Sequence, residues 1–423
     1  ALVQSNSNNF YPRVGFAWKP FNDEKTVLRG GYGVYGNTIY GSAAASRVGG
    51  PFSGSESFTN SIVNGSPLFS FPRPFLDAGT TSTQNVSGIN PNLRTPHSQQ
   101  FNLTLEREVA HVGLRVSYIG TRSTQLVYAR NLNQPPASLV PFTAARRIYP
   151  AYNTITWYDN GGNQQYNSLQ VSAARSYGKN LSFNTGWTWA KDITDTQNTG
   201  SGFSGPTIEN QFNRSAERAD NVLTRTHRVY GNLIYDLPFG RGQRFGANIP
   251  GFVDAVAGGW NMSWIFVRQS GQFFTPTFTG FDISNTNTLS GRPDRIGSGK
   301  LDSGQSLQRW FDASAFKVPG CPDTDPICAK PANIGRFGNS GLNVLRGPSS
   351  TNFDLSASKY FRLGDRVTLQ LRMLATNIFN HPNFMLTNTS ISSPGTVGRI
   401  TSTFQEQIGE DARQIHFNLR LQF

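Results

Sequence analysis

The feature that most constrains this chain is a period-two alternation of apolar and polar residues. It recurs in segments of about ten residues, the length a tilted strand needs to cross a bilayer. The final segment shows it most clearly: Ile415, Phe417, Leu419, Leu421 and Phe423 alternate with His416, Asn418, Arg420 and Gln422. Since successive strand residues point to opposite faces, one face is apolar and the other wet. A strand of a soluble sandwich reads the same way, so the array carries more weight than any member. Eleven segments qualify: 10–19, 26–35, 99–109, 112–127, 166–176, 180–190, 226–238, 259–275, 351–361, 366–379 and 411–423. Their apolar sets include Val14, Phe16 and Trp18; Phe101, Leu103 and Leu105; Phe183, Trp187 and Trp189; Leu233, Tyr235 and Leu237; and Val367, Leu369, Leu371 and Met373. Opposite them stand Asn102, Thr104 and Glu106, then Ser182, Asn184 and Thr188, then Thr368, Gln370 and Arg372, a set suited to a water-filled lumen. Aromatics near the segment ends suit an interfacial girdle.

The connections alternate in length. Short links are expected at Pro20–Lys25, with Asn22-Asp23, at Ala110–His111, at Tyr177–Lys179 and at Arg362–Asp365, with an intermediate one at Phe239–Gly258. Between them run long stretches, about 36–98, 128–165, 191–225, 276–350 and 380–410. Several structureless loops beyond about 15 residues are rare in soluble sandwiches, whereas outer-membrane barrels pair tight periplasmic turns with long extracellular loops. The predicted fold is therefore all-β, an antiparallel transmembrane β-barrel. With eleven strands the two end strands point the same way and cannot close by antiparallel pairing, and open edges in lipid leave unpaired N–H and C=O groups. The chain is expected to be the C-terminal portion, 1–423, of one barrel domain. Strands preceding Ala1 would complete it to about 22, the size of plugged outer-membrane transporters.

Composition agrees. Glycine (43), proline (24), phenylalanine (31), tyrosine (14) and tryptophan (7) are abundant and 15% of residues are charged, a balance that favours strands and loops over helices. The net charge of +13 is spread singly, without basic runs or an RNA-recognition string. It fits a lipopolysaccharide-rich surface or an anionic solute better than nucleic acid. No run of 18 apolar residues exists, and the start at Ala1 carries no secretory signal pattern, so an N-terminal part of the natural protein is expected to be missing.

Several strings resemble the C-terminal barrel of TonB-dependent receptors of the Oar-like group. They are Tyr11-Pro-Arg-Val-Gly-Phe-Ala-Trp with Thr26-Val-Leu-Arg-Gly-Gly-Tyr-Gly, Asn92-Leu-Arg-Thr-Pro-His-Ser-Gln-Gln-Phe-Asn-Leu, and Tyr166-Asn-Ser-Leu-Gln-Val with Gly186-Trp-Thr-Trp-Ala-Lys. Further on come His227-Arg-Val-Tyr-Gly-Asn with Leu237-Pro-Phe-Gly, Arg309-Trp-Phe-Asp, Gly335-Arg-Phe-Gly-Asn through Leu345-Arg-Gly-Pro, and Asn377-Ile-Phe-Asn-His-Pro-Asn-Phe. The resemblance spans nearly the whole chain. It implies ligand binding and energy-dependent uptake of a solute across the outer membrane of a Gram-negative-type bacterium, driven by the TonB complex through a plug and TonB box that are not identifiable here. It also implies that Ile415, Phe417, Leu419, Leu421 and Phe423 form the signal read by the outer-membrane assembly machinery. A structural or adhesive outer-membrane barrel without transport is the alternative, and a secreted propeller or sandwich enzyme is a third class.

Residue-level expectations follow. Long-loop aromatics Trp157, Tyr158, Phe273, Phe274, Trp310 and Phe311 are candidate ligand contacts, and Arg115, Gln170, Asn232, Arg372 and Arg420 are candidate lumen residues. Cys321 and Cys328, in a turn-rich stretch, are expected to form a disulfide in an oxidising compartment, with free thiols as the alternative. No catalytic, cofactor or metal site is expected. Gly31-Tyr-Gly-Val-Tyr-Gly36 matches G-x-G-x-x-G but sits in a strand rather than opening a helix. The histidines His97, His111, His227, His381 and His416 are isolated, and Asp323 and Asp325 lack the remaining positions of a calcium loop. Asp159-Asn-Gly-Gly-Asn163 reads as a turn.

Overall fold

Backbone pairing joins the alternating segments into one sheet. The computed structural model describes residues 9–21, 24–36, 62–63, 66–67, 84–178, 180–197, 207–362, 367–403 and 412–423. Eleven strands follow one another as an antiparallel meander: β1 (Arg13–Trp18), β2 (Thr26–Gly36), β3 (His97–Val109), β4 (Val112–Asn131), β5 (Tyr152–Gly178) and β6 (Leu181–Thr194), then β7 (His227–Asp236), β8 (Trp260–Gln269), β9 (Ser350–Arg362), β10 (Thr368–Thr376) and β11 (Gln414–Gln422). Each of the eleven expected segments overlaps one of these strands. Among the described residues, β1 and β11 each have a single neighbour in the sheet.

Directly opposed residues share a face, so the register fixes which side chains stand together. On one face Phe16 opposes Gly30, Leu105 opposes both Leu28 and Val116, and Leu169 opposes Tyr118 and Trp189. The same row continues through Phe183, Leu233, Trp264 and Leu355, and ends with Met373 opposite Phe417 and Leu371 opposite Leu419. The other face carries Glu106 opposite Arg115, Ser117 and Thr188 opposite Gln170, Asn184 opposite Asn232, Arg372 between Ser358 and Asn418, and Gln370 opposite Arg420. Much of the apolar face is exposed: Val14 is 70% exposed and Phe417 71%. A continuous apolar face of this extent is untenable in water and is matched by lipid.

Tight turns close one end. At Ala110 and His111 both residues take positive φ, 49° and 64°, as a two-residue hairpin turn demands. Asn22-Asp23, Lys179 and 363–365 of the other short links lie outside the described residues, as do 37–61, 64–65 and 68–83 of the loop expected at 36–98, 198–206 of that at 191–225 and 404–410 of that at 380–410. The Gly31–Gly36 motif lies within β2, paired with β3 throughout and with β1 as far as Gly33. The Tyr35 ring covers Gly33 and the Tyr11 ring covers Gly36, so a Cβ at either would collide with an aromatic.

Three expectations are corrected. The stretch 128–165 is not a free loop, because β4 and β5 pair from Gly113–Ala174 up to Asn131–Thr156 and leave only the residues between Asn131 and Tyr152 as connection. At 27 residues β5 far exceeds the ~10 needed to span a bilayer. Asp159–Asn163 is consequently no turn but the interior of β5. There the register shifts, Gly161 takes φ 120°, and Asp159 accepts Arg130 Nη2 at 3.1 Å. β6 accompanies β5 only as far as Gln164, and the edge beyond is taken in parallel by Gln84–Ile89. Lastly, 276–350 is not structureless. Short ribbons pair Phe278–Thr279 with Ser290–Gly291 and Asp294–Arg295 with Phe316–Lys317, around a core that includes Phe278, Phe311, Phe316, Val318, Leu345 and Ile391.

The two faces of β11 should respond oppositely to charge. Phe417→Arg is expected to destabilise the assembled protein in vesicles by about 2–4 kcal/mol, the penalty for Arg on a lipid face near mid-membrane, whereas Asn418→Arg should change it by well under about 1 kcal/mol. Urea titration of the two variants compares them.

Candidate functional site

At the long-loop end the connections fold onto one another, and the forces that hold them are polar as well as apolar. Arg292 is the hub. Its Nε donates to Glu209 Oε2 at 2.5 Å, its Nη2 to Glu217 Oε1 at 2.9 Å, its Nη1 to the Ala216 carbonyl at 2.8 Å, and its backbone N–H to Glu209 Oε1 at 2.7 Å. All three side chains are nearly buried, at 6%, 12% and 9% exposure. Burial raises the Glu217 carboxyl above the usual glutamate range, and attraction to Arg292 only partly offsets it. Arg214 joins Asp195 at 2.8 Å, and Arg336 grips both oxygens of Asp294 at 2.7 and 2.8 Å. Gln134 ties the β4–β5 connection to the others: its Nε2 donates to the Glu209 carbonyl and its Oε1 accepts the Gln211 N–H.

Gln134, Asp195, Glu209, Glu217 and Arg292 stand in the wall of an open cavity of about 780 Å³. Its wall combines hydroxyls (Thr196, Thr207, Thr277, Ser290), amides (Asn131, Gln197, Asn343) and apolar patches (Ile208, Phe278, Leu289). The wall carboxylates Asp195, Glu209 and Glu217 each hold an arginine, so the free hydrogen-bonding capacity rests mostly with neutral groups. Such a wall can orient a polar solute by hydrogen bonds while its apolar patches exclude water.

The aromatic candidates fall elsewhere. Phe311 is 3% exposed and packs on Phe274 and Phe316 in the loop core, so it has no face to offer a ligand. Phe274 packs against the same core, Phe273 lies under the Arg346 guanidinium at 4.3 Å, and Trp310 Nε1 donates to the Arg346 carbonyl. Trp157 covers Gly88 and Tyr158 packs on Ile89, Leu93 and Val127, so both lie within β5 and its parallel partner. None of the six lines the cavity. Arg115, Gln170, Asn232, Arg372 and Arg420 stand on the polar face of the sheet, with Arg115 paired to Glu106 at 2.7 Å and Arg372 Nε donating to Ser356 at 3.1 Å. Cys321 and Cys328 are joined by a disulfide, and Asp323 beside them takes the Lys317 ammonium at 2.5 Å. His227, on the apolar face, stacks on Trp187, and His97 meets Thr124 across the β3–β4 pair. Sequence reasoning missed Arg292, Glu209 and Glu217, which stand among other loop charges such as Arg214, Arg218, Asp220, Asp294 and Arg295 with no motif or spacing to single them out.

Over residues 1–416 the chain matches the family described as outer membrane beta barrel domain. No curated protein matches it in sequence. Among solved structures it is similar to the outer membrane transporter YddB from Escherichia coli, with 11% identity, a TM-score of 0.49, and coverage of 98% of this chain and 40% of that one. It is similar also to the FrpB iron transporter from Neisseria meningitidis (10%, TM-score 0.42, 97% and 39%) and to a mutant of the ferric enterobactin receptor PfeA from Pseudomonas aeruginosa (9%, 0.45, 98% and 40%). The chain thus spans about two-fifths of the length of these proteins.

Removing the hub should loosen the loops. Arg292→Ala leaves two buried carboxylates unpaired and is expected to destabilise the loop assembly by about 3–5 kcal/mol, read as faster hydrogen exchange in 207–220 and 275–295 with the strands unchanged. Glu217 has a raised folded value, so its contribution is full below the ordinary glutamate range and is lost as pH rises through that raised value. Loop protection should therefore fall with rising pH across that window, and Glu217→Gln should flatten the dependence. Cys321→Ser with Cys328→Ser, which opens a short cross-link, should weaken the same assembly by about 2–3 kcal/mol.

Proposed function

The chain belongs to the outer membrane β-barrel domain family, and on that footing we propose that it forms the C-terminal strands of a TonB-dependent receptor barrel that captures a solute and passes it through its lumen. The observation that carries this reading is the roughly 780 Å³ open cavity between braced loops at the long-loop end of a sheet with one polar face. That volume is of the order of small-molecule sites. In this reading the solute is held by neutral hydrogen-bonding groups, then meets the polar face that carries Gln170, Asn232, Arg372 and Arg420. Energy enters through the TonB complex, acting on a plug and TonB box outside this chain.

Among the described residues β1 and β11 each lack a second neighbour, which supports a larger barrel, because an open edge in lipid leaves a row of unsatisfied backbone groups. Eleven further strands would complete the 22-strand size. Ile415, Phe417, Leu419, Leu421 and Phe423 are proposed as the strand read by the assembly machinery, and lipid and lipopolysaccharide as the surroundings of the apolar face.

Leu289 offers a test at a wall position that is 61% exposed, where a larger side chain fits without disturbing the core. Cells making the full-length protein are given a defined mixture of polar solutes, and depletion of each is followed. Depletion of at least one should require the proton-motive force and should fall at least about tenfold in Leu289→Trp at equal outer-membrane abundance. Depletion that ignores both the energy supply and the substitution would leave an adhesive or structural barrel as the better reading.

A further inference from the structure

The connection between β7 and β8, at the end opposite the cavity, does not extend into the periplasm as a plain loop. Its helix α1 (Gly251–Ala257) folds back over the apolar face of the sheet. Two contacts place it there. Trp260 and Lys359 oppose one another and lie in the same row as Trp264 and Leu355, on the lipid side. Trp260 Nε1 donates to the Val256 carbonyl at 2.9 Å, and Lys359 Nζ donates to the carbonyls of Asp254, Val256 and Gly258. A lysine in a lipid-facing row is unfavourable, but here the C-terminal carbonyls of the helix surround its ammonium and leave Lys359 3% exposed.

Having covered Lys359, the helix turns its own apolar residues outward. Phe252 and Val256, one turn apart, are 76% and 71% exposed, and in the same connection Phe239 and Phe245 pack as a tilted pair with ring centroids 5.5 Å apart, each about half exposed. Arg241 and Arg244 lie exposed in the same connection, while its acid, Asp254, is engaged by the Arg241 backbone N–H. An apolar edge continuous with the lipid-facing surface and bordered by two cations matches one environment, the boundary of a bilayer with anionic headgroups.

We propose that Leu237–Gly259 is an interfacial foot: Phe239, Phe245, Phe252 and Val256 insert into the inner, phospholipid leaflet of the outer membrane, and Arg241 and Arg244 bind its phosphates. The foot fixes the height of the β7–β9 wall in the bilayer and is independent of what the protein transports.

Site-directed spin labelling of the full-length protein tests this in vesicles of phosphatidylethanolamine and phosphatidylglycerol. Nitroxides are attached at Phe252→Cys, Val256→Cys and, as a water-exposed reference, Glu24→Cys. All three positions are exposed, so the fold is retained. The ratio of oxygen to nickel-chelate collisions should be at least about fivefold higher at 252 and 256 than at 24. Arg241→Gln with Arg244→Gln should lower that ratio in the anionic vesicles. Nickel-accessible labels at 252 and 256, or labels shielded only after a periplasmic protein is added, would overturn the proposal.

Discussion

The ladder of cross-strand hydrogen bonds is the constraint from which the rest of this structure follows. In lipid a backbone amide has no water to turn to, so each strand must be paired along its length, and pairing fixes parity. Once Glu106 stands opposite Arg115 and Met373 opposite Phe417, every other side chain in those strands is assigned to water or to hydrocarbon. A slip of one residue would reverse the whole assignment and place Arg372 and Arg420 in lipid. The exposed apolar row from Val14 to Phe417 and the polar row behind it are therefore two readings of one register.

Beyond the bilayer the same ladder continues with a different use. β4 and β5 extend far past the length a membrane requires and carry a platform on which the loops assemble. The loops could not remain as free chain around a cavity, because buried polar groups need partners. Arg292 supplies them to Glu209 and Glu217, Arg336 to Asp294, and Gln134 to the backbone at 209 and 211. The apolar residues Phe311, Phe316, Val318 and Ile391 then form a core away from the sheet, closed at one edge by the Cys321–Cys328 bridge. The hydrogen-bonding groups left open in the wall are neutral hydroxyls and amides, since the wall carboxylates are already held by arginine.

The two ends of the sheet solve different problems. Tight turns such as Ala110–His111 return the chain with little material, and the β7–β8 connection uses its extra length to shield a lysine that parity has turned toward lipid. Charge on the lipid side is thus tolerated where a helix terminus is at hand to receive it.

Period-two alternation is local, so the strand array, the faces and the alternation of loop lengths were all legible in the amino-acid sequence. Ile415 to Phe423 announce an apolar face without reference to any other residue, and the polar positions Arg115, Gln170, Asn232, Arg372 and Arg420 follow by parity. Contacts between loops are not local. Glu209 and Arg292 are 83 residues apart and Gln134 and Thr288 are 154 apart, and no periodicity links them. For the same reason the loop aromatics looked available: Phe311 differs from a ligand-contacting phenylalanine only in what packs on it. Asp159-Asn-Gly-Gly-Asn163 has the composition of a turn, yet it stays extended, because the β4 ladder with its Arg130–Asp159 pair on one side and Asn90 Nδ2, which donates to Asp159, on the other outweigh its local preference. The sequence alone determined that this chain is a sheet with a lipid face and a wet face. Tertiary structure decided which polar residues became braces, which aromatics became core, and where a cavity remained.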